Sequence, residues 1–400
     1  MKDSPHTALF EPLRLPCGIV LKNRIVKSAM SDSLGDGHGT PTDAQIRLYE
    51  RWADGGLAAA IIGEVQGTPD YAEKPGNLVL DGASDRDRFR TLARRGSAND
   101  AQLWLQLGHA GAMAHAPISA PKGPSALNLP GLNCAAMSLD EIHALPAEFA
   151  RTAALAQELG FGGVEVHAAH GFLLSQFLSP LFNKRTDDYG GPIVNRMRLL
   201  LEVVGAVRTA VGPGFPIAVK LNATDQLAGG LEEPDALAVV AALDDTTIDL
   251  IDISGGTYFP GAKSASDRVS SGAYFLNFAD QARPLTDKPL MVTGGFKTLE
   301  QAAEAVMRGR ADIVGLARAL VLHPDLPNDW QAGQHRVPAF PKFENPPEGG
   351  ITAWYTMRLT ALGEDREDAD ALSLDAAVSA YDARDTKRAA LWQAHFQAGA

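Results

Sequence analysis

The run Gly163-Val164-Glu165-Val166-His167-Ala168-Ala169-His170-Gly171 reads as a short, mostly apolar strand, Gly163–His167, that ends in histidine and turns at glycine. Segments of helical period, Leu139–Leu159 and Val194–Val211, lie on either side of it. Together they make one βα unit. Outward from this unit the pattern repeats. Strands Arg24–Ser28, Leu57–Gly63 and Gln102–Leu107 precede it; Ile217–Asn222, Leu250–Ser254, Leu290–Thr293 and Ile313–Leu316 follow. Helical patterns at Asp43–Asp54, Asp85–Asn99, Glu233–Ala242, Asn277–Leu285 and Leu299–Arg308 fill the gaps. This alternation predicts an α/β chain closed as a (β/α)8 TIM barrel. A doubly wound sheet, usually of about five or six strands, is the second reading.

The barrel pattern spans residues 1–325. Residues 326–400 form a C-terminal extension: a connector with Pro338, Pro341, Pro346, Pro347 and Gly349-Gly350 leads to helix-like stretches Ile351–Leu362 and Ser373–Phe396. This extension is expected to dock on the barrel or on a second subunit, with a homodimer or other homo-oligomer left open. The insertion Gly108–Met137 follows the third strand, on the face where barrels build their sites, and reads as a lid or pocket wall.

Composition narrows the function classes. Hydrophobic residues make up 45% and charged residues 21%, enough for a sizeable core. The net charge of −12 argues against a nucleic-acid partner, which needs a Lys/Arg surplus. Cys17 and Cys134 are too few for a disulfide framework or a four-cysteine cluster, and point to reduced thiols. Met1–Leu13 has no apolar core of a signal peptide, and no stretch reaches the ~18 apolar residues of a membrane span. The expectation is a cytoplasmic protein without a membrane partner.

In a barrel, catalytic groups sit at C-terminal strand ends. Ser28-Ala29-Met30-Ser31, Glu64, Gln106, His109, His167, His170, Lys220, Thr293-Gly294-Gly295 and Arg318 all fall there. Gly294-Gly295 and Ala317-Arg318 read as a phosphate cradle of backbone N–H groups and one guanidinium. No third ligand or HExxH pattern accompanies His167 and His170, so no metal site is expected. They read either as structural histidines or as two donors aimed at a substrate oxygen or anion. Lys220 reads either as the partner of Asp225 or another carboxylate, or as a fixed cation beside a cofactor that becomes negative on reduction.

These residues resemble a known family. Leu21-Lys22-Asn23-Arg24-Ile25-Val26 with Ala29-Met30, Val164–Gly171, Gln176–Pro180, Asn183, Arg185–Gly191, Asn195-Arg196 and Gly309–Arg318 resemble, in order, the motifs of Old Yellow Enzyme and its NADH:flavin oxidoreductase relatives, over about residues 8–325. The resemblance implies tightly bound FMN and NADH or NADPH as reductant. It implies that Ser28, Ala29, Met30 and Ser31 line the flavin ring, with Val65 on its flank and Gln106 at its pyrimidine edge. It also implies that Lys220, where relatives have arginine, stands beside N1 and O2. Gly294, Gly295, Ala317 and Arg318 would hold the phosphate, and His167 and His170 would grip the oxygen of a small-molecule substrate.

Three positions depart from the family pattern. Phe172 replaces a proton-donating tyrosine, Ser31 a cysteine or threonine that tunes the flavin, and Ser33 a tyrosine that often contacts substrate. Tyr258, Tyr274 or solvent would then have to supply the proton. The expected activity is an ene-reductase that passes hydride from NAD(P)H through flavin to an activated C=C bond of an enone or nitroalkene. The alternatives are a flavin oxidase, dehydrogenase or demethylase that removes hydride from its substrate, and, more remotely, a non-catalytic flavin-binding protein.

Overall fold

The computed structural model describes residues 6–259, 262, 272–366 and 372–398; the first five residues of the leader reading lie outside them. Eight parallel strands close into a barrel: β1 (Ile25–Lys27), β2 (Ala59–Gln66), β3 (Gln102–Gly108), β4 (Gly163–Ala168), β5 (Ile217–Asn222), β6 (Leu250–Ser254), β7 (Leu290–Thr293) and β8 (Ile313–Leu316). Each pairs with its neighbour in chain order, and β8 returns to β1. The closed barrel expected from the alternation is therefore the fold.

Alternation along the strands sorts side chains into an outer and an inner set. Outward residues such as Ile25, Ile62, Leu105 and Val219 join the core beneath the surrounding helices. Inward residues Val26, Trp104, Ala218, Leu250, Met291 and Ile313 form a separate apolar cluster with Leu15 and Leu21. Those two flank and belong to the small hairpin pairing Leu13–Arg14 with Val20–Leu21. Two residues further along each of these strands stand Ser28, Gln106, Lys220, Asp252, Thr293 and Gly315. One apolar layer thus carries one polar layer, and the second is where the strands open toward their loops.

Around the barrel run α1 (Asp43–Asp54), α2 (Arg86–Gly96), α3 (Leu139–Glu158), α4 (Arg198–Val211), α5 (Glu233–Asp244), α6 (Leu276–Ala282), α7 (Leu299–Met307) and α8 (Arg318–Leu322). The starts follow capping chemistry. Thr42 and Thr298 accept from the N–H of Gln45 and Gln301, and Ser138 with Glu141 closes a capping box on α3. The helix expected over Val194–Val211 is two pieces, Ile193–Arg196 and α4, which meet at Met197. The insertion after β3 holds three short strands, Lys122–Gly123, Leu127–Leu129 and Leu132–Ala136.

The C-terminal helices α9 (Gly350–Gly363) and α10 (Leu374–Phe396) dock on the chain's own barrel. The Arg47 Nε donates to the Gly363 carbonyl at 2.8 Å, and Arg388 reaches the Ser33 carbonyl. Gln393 and Gln397 donate to Pro117 and Ile118 at 2.6 and 2.9 Å. Trp392 is fully buried against Ala72, Val79 and Ile118. The last helix thus packs on the loops after β1, β2 and β3, along the rim of the catalytic face. Among the described residues no helix is long and apolar enough to cross a membrane.

Candidate active site

The polar layer is one connected network. On β3, the Gln106 Nε2 donates to the Glu165 Oε1 on β4 at 2.7 Å, where the two residues are in register. On β5, Lys220 pairs with Asp252, its neighbour on β6, and lies 4.0 Å from Glu165. The Thr293 Oγ1 on β7 donates to the Asp252 Oδ1 at 2.6 Å and meets the Ser28 Oγ at 2.8 Å. Every member is buried, Thr293 being the most accessible at 9%. A carboxylate partner for Lys220 was one of the two expectations, but Asp225 is not that partner. Asp225 instead accepts from the Asn222 Nδ2 and the Leu231 N–H at 3.0 and 2.8 Å, bracing the loop after β5.

Burial works against the Lys220 charge, but Asp252 and Glu165 overcome it and hold the ammonium above the usual lysine range. Burial pushes the Glu165 carboxyl up to about 8 against the pull of Lys220, with the nearby Asp252 adding to the rise. The layer therefore sets the Lys220 cation between two carboxyl groups, of which Glu165 is biased toward its protonated form.

His167, the last residue but one of β4, is in register with Lys220, and His170 lies in the turn beyond. His170 adopts φ 61°, held there because its N–H donates to the Asn222 side chain at 3.0 Å and because it bridges to Thr257. A Cβ on the following Gly171 would meet the Thr257 Oγ1 at 2.2 Å, so this turn requires glycine twice over, its φ being +82°. The His170 Nε2 lies 2.9 Å from the Ser254 Oγ, while the His167 Nδ1 is buried with no hydrogen-bond partner among the described residues. Burial lowers the His170 ring to about 3, with Lys220 contributing. Burial, His170 and Lys220 hold His167 well below the ordinary histidine value. Both are neutral donors at pH 7.

Two more rings complete this corner. The centroids of His167 and His170 are 5.4 Å apart, His170 and Tyr258 5.6 Å, Tyr258 and Phe172 6.2 Å, and Phe172 and His167 4.9 Å. Four ring contacts thus close on themselves. Tyr274 is elsewhere: its ring lies 3.3 Å from where a Cβ on Gly294 would stand.

Gly294 and Gly295 have φ +107° and +85°, and a Cβ on Gly295 would meet the Gly272 carbonyl at 2.2 Å. Ala317 precedes α8, which Arg318 opens, and the Arg318 guanidinium lies 5.4 Å from the Tyr355 ring of α9. No carboxylate among the described residues is paired with it.

Other expected positions are less open. Val65 is fully buried in the core between barrel and helices. Ser33, at φ 50°, is buried beneath α10, its carbonyl held by Arg388. Ala29, Met30 and Ser31 are partly exposed at the end of β1. Met30 sits so close to β2 that a Cβ on Gly63 would come 2.4 Å from its carbonyl oxygen.

Several motif residues prove to be braces. Gln176 donates to the Ala110 and Gly171 carbonyls and accepts from Ala112, tying the insertion to the β4 turn. Arg185 spans Asp187, Pro124 and Met137, and Arg196 pairs with Asp235.

The sequence reading passed over Glu165, Asp252 and Lys27. The first two were detectable as lone carboxylates inside apolar strands. Lys27, on the outward face of β1, is fully buried with its ammonium 4.6 Å from the Trp52 ring centroid and 5.7 Å from that of Tyr49. Burial lowers it to about 7, against the pull of Asp32.

Comparison with known proteins agrees with this architecture. The family model described as NADH:flavin oxidoreductase / NADH oxidase matches residues 8–336. The NADH-dependent flavin oxidoreductase iliE of Neonectria sp. (strain DH2) is 36% identical over 87% of this chain, which spans only 50% of that protein. Its namesake from Hypocrea jecorina (strain QM6a) is 33% identical, with 80% of this chain and 88% of the relative aligned. Among solved structures, morphinone reductase superposes with a TM-score of 0.72 at 25% identity, over 83% of this chain and 91% of its own. Barrel, motifs and relatives agree, and the chain belongs to the NADH:flavin oxidoreductase / NADH oxidase family, the Old Yellow Enzyme family whose motifs its strand ends carry.

Proposed function

We propose that the protein is an FMN-dependent ene-reductase, reducing an activated C=C bond of an enone or nitroalkene at the expense of NADH or NADPH. One observation carries the reading. Two neutral histidines, one with an unpartnered buried nitrogen, stand at the mouth of the barrel beside a buried polar layer.

The residues present fit FMN. Gly294 and Gly295, both at positive φ just past the end of β7, would with Ala317 and Arg318 hold its phosphate. Gln106 and Lys220 would face the pyrimidine edge, and Ser28–Ser31 and Val65 the rest of the ring. Held there, FMN would supply the two-electron hydride chemistry.

The chain's own groups do the rest. His167 and His170 orient the acceptor through its oxygen, and as neutral donors they polarise its double bond without competing for a proton. The Lys220–Asp252 pair fixes a positive end in a dry layer, where it needs no reorganisation during turnover.

A second reading, hydride removal from a substrate as in an oxidase, dehydrogenase or demethylase, draws on Phe172. Its buried ring has no proton to give. Rapid mixing separates the two. The protein should be yellow, release FMN on denaturation, be reduced by NADH or NADPH, and be reoxidised by cyclohexenone or a nitroalkene. Reoxidation by oxygen alone would favour the second reading, and a colourless protein that cannot be loaded with FMN would defeat both.

A further inference from the structure

We propose that Tyr258 is the proton donor of this site, a role that rests on the ene-reductase reading and names the acid it lacks at Phe172. Of the four rings that close on one another at the end of β4, only Tyr258 carries a hydroxyl. Its position is set by backbone as well as by packing. The Tyr258 N–H donates to the His170 carbonyl at 3.0 Å, one residue past the Thr257–His170 bridge. This fixes the Tyr258 backbone beside His170, and the two rings lie 5.6 Å apart.

The other acids nearby serve less well. Tyr274 lies against Gly294, on the phosphate side. Tyr71 stacks on His109 with centroids 4.2 Å apart, and its hydroxyl feels Lys122 and Glu141 of the insertion. Phe172 is 2% exposed, whereas Tyr258 is 53% exposed. Access to water matters, because a donor must be reloaded each turnover. Packing around the ring raises the hydroxyl above the ordinary tyrosine range, with Glu64 and Glu73 adding to the rise and Arg318 opposing it. The proton stays on oxygen until carbon takes it.

The step balances as follows. Hydride from reduced flavin forms the new C–H bond at the β-carbon, and the C=C π pair moves to the α-carbon. The Tyr258 O–H bond breaks, its proton forms the second C–H bond, and the tyrosinate takes a proton from water.

Tyr258→Phe should slow reoxidation by cyclohexenone about 10²-fold or more, and the slowed step should carry a solvent deuterium isotope effect at least as large as the native one, because water must then supply the proton. Adding Phe172→Tyr to it should recover part of the rate. Should Tyr258→Phe fail to hold FMN, Tyr258→Trp keeps a ring without an acidic hydroxyl and should show the same loss. A second readout needs no turnover. In ring-labelled tyrosine spectra, the signal lost in Tyr258→Phe should titrate above the ordinary tyrosine range and shift when phenol is added. A native cyclohexenone rate in Tyr258→Phe would overturn the proposal and leave the ene-reductase reading standing. A native protein reduced by NADPH but reoxidised by no activated alkene would overturn both.

Discussion

Lys220 and Asp252, side by side on β5 and β6, form an ion pair with both side chains buried. The cation expected beside the flavin is therefore already half of a pair. Removing it leaves Asp252 in a dry layer without its cation, close to Glu165.

Lys220→Met should therefore cost more than a flavin contact. Loss of one member of a buried pair is worth roughly 3–5 kcal/mol of stability, and urea unfolding of the FMN-loaded protein should show it. The flavin potential should fall in the same variant, since the site becomes more negative. Lys220→Met/Asp252→Leu should recover most of the stability. An unchanged potential in the single variant would mean that Lys220 does not act on the flavin.

Neutral histidines make the protein acid-sensitive. Burial lowers His109 and His170 to about 3 and holds His167 well below its ordinary value. Below pH 6.5 the unfolded chain binds protons that the folded one refuses, so stability falls as pH drops toward 3. Each group costs roughly 1.4 kcal/mol per pH unit across that window. Burial raises Glu165 and Glu64, which act in the opposite sense, so the difference between variants is the test: His167→Ala/His170→Ala should lose less stability than the native protein between pH 7 and pH 5. That variant should keep FMN and lose the charge-transfer band with phenol. A surviving band would refute the assigned role of the pair.

Lys27 gives the same loss of stability with falling pH, in a higher window. Its folded value of about 7 lies below the ordinary lysine value, so the unfolded chain gains a proton first as pH falls from 10. The native fold is penalised progressively down to pH 7, and the cation–π contact with Trp52 offsets only part of this. Lys27→Met should stabilise the protein by roughly 2–4 kcal/mol at pH 7 and by little at pH 10. A variant less stable at both would show that the ammonium has a partner worth its burial.

Trp392 anchors α10 to the rim of the site. Trp392→Ala should cost roughly 3–5 kcal/mol if α10 unfolds with the barrel. If thermal unfolding instead splits into two transitions, the extension is a separate cooperative unit.

The barrel was legible because its strands are near-continuous apolar runs at regular spacing, and closure of eight such units has one common solution. Strand bounds at Ile217–Asn222, Leu250–Ser254, Leu290–Thr293 and Ile313–Leu316 coincide with the apolar runs of the sequence. The strand-end histidines, Gln106, Lys220 and the glycine pairs were legible for the same reason: a period of two and a fixed direction say which residues reach the mouth. What a linear reading lacks is register between strands. Only β5–β6 pairing sets Asp252, not Asp225, against Lys220, and only the β3–β4 register brings Glu165 to Gln106. Only the bridge from Thr257 to His170 brings Tyr258 into the ring quartet, 88 residues after His170 in the chain (258 − 170). The placement of α10 over the rim likewise depends on an indole finding the surface shared by Ala72, Val79 and Ile118. Periodicity is a local property and was read directly; pairing across the barrel is decided by packing, which only the folded chain expresses.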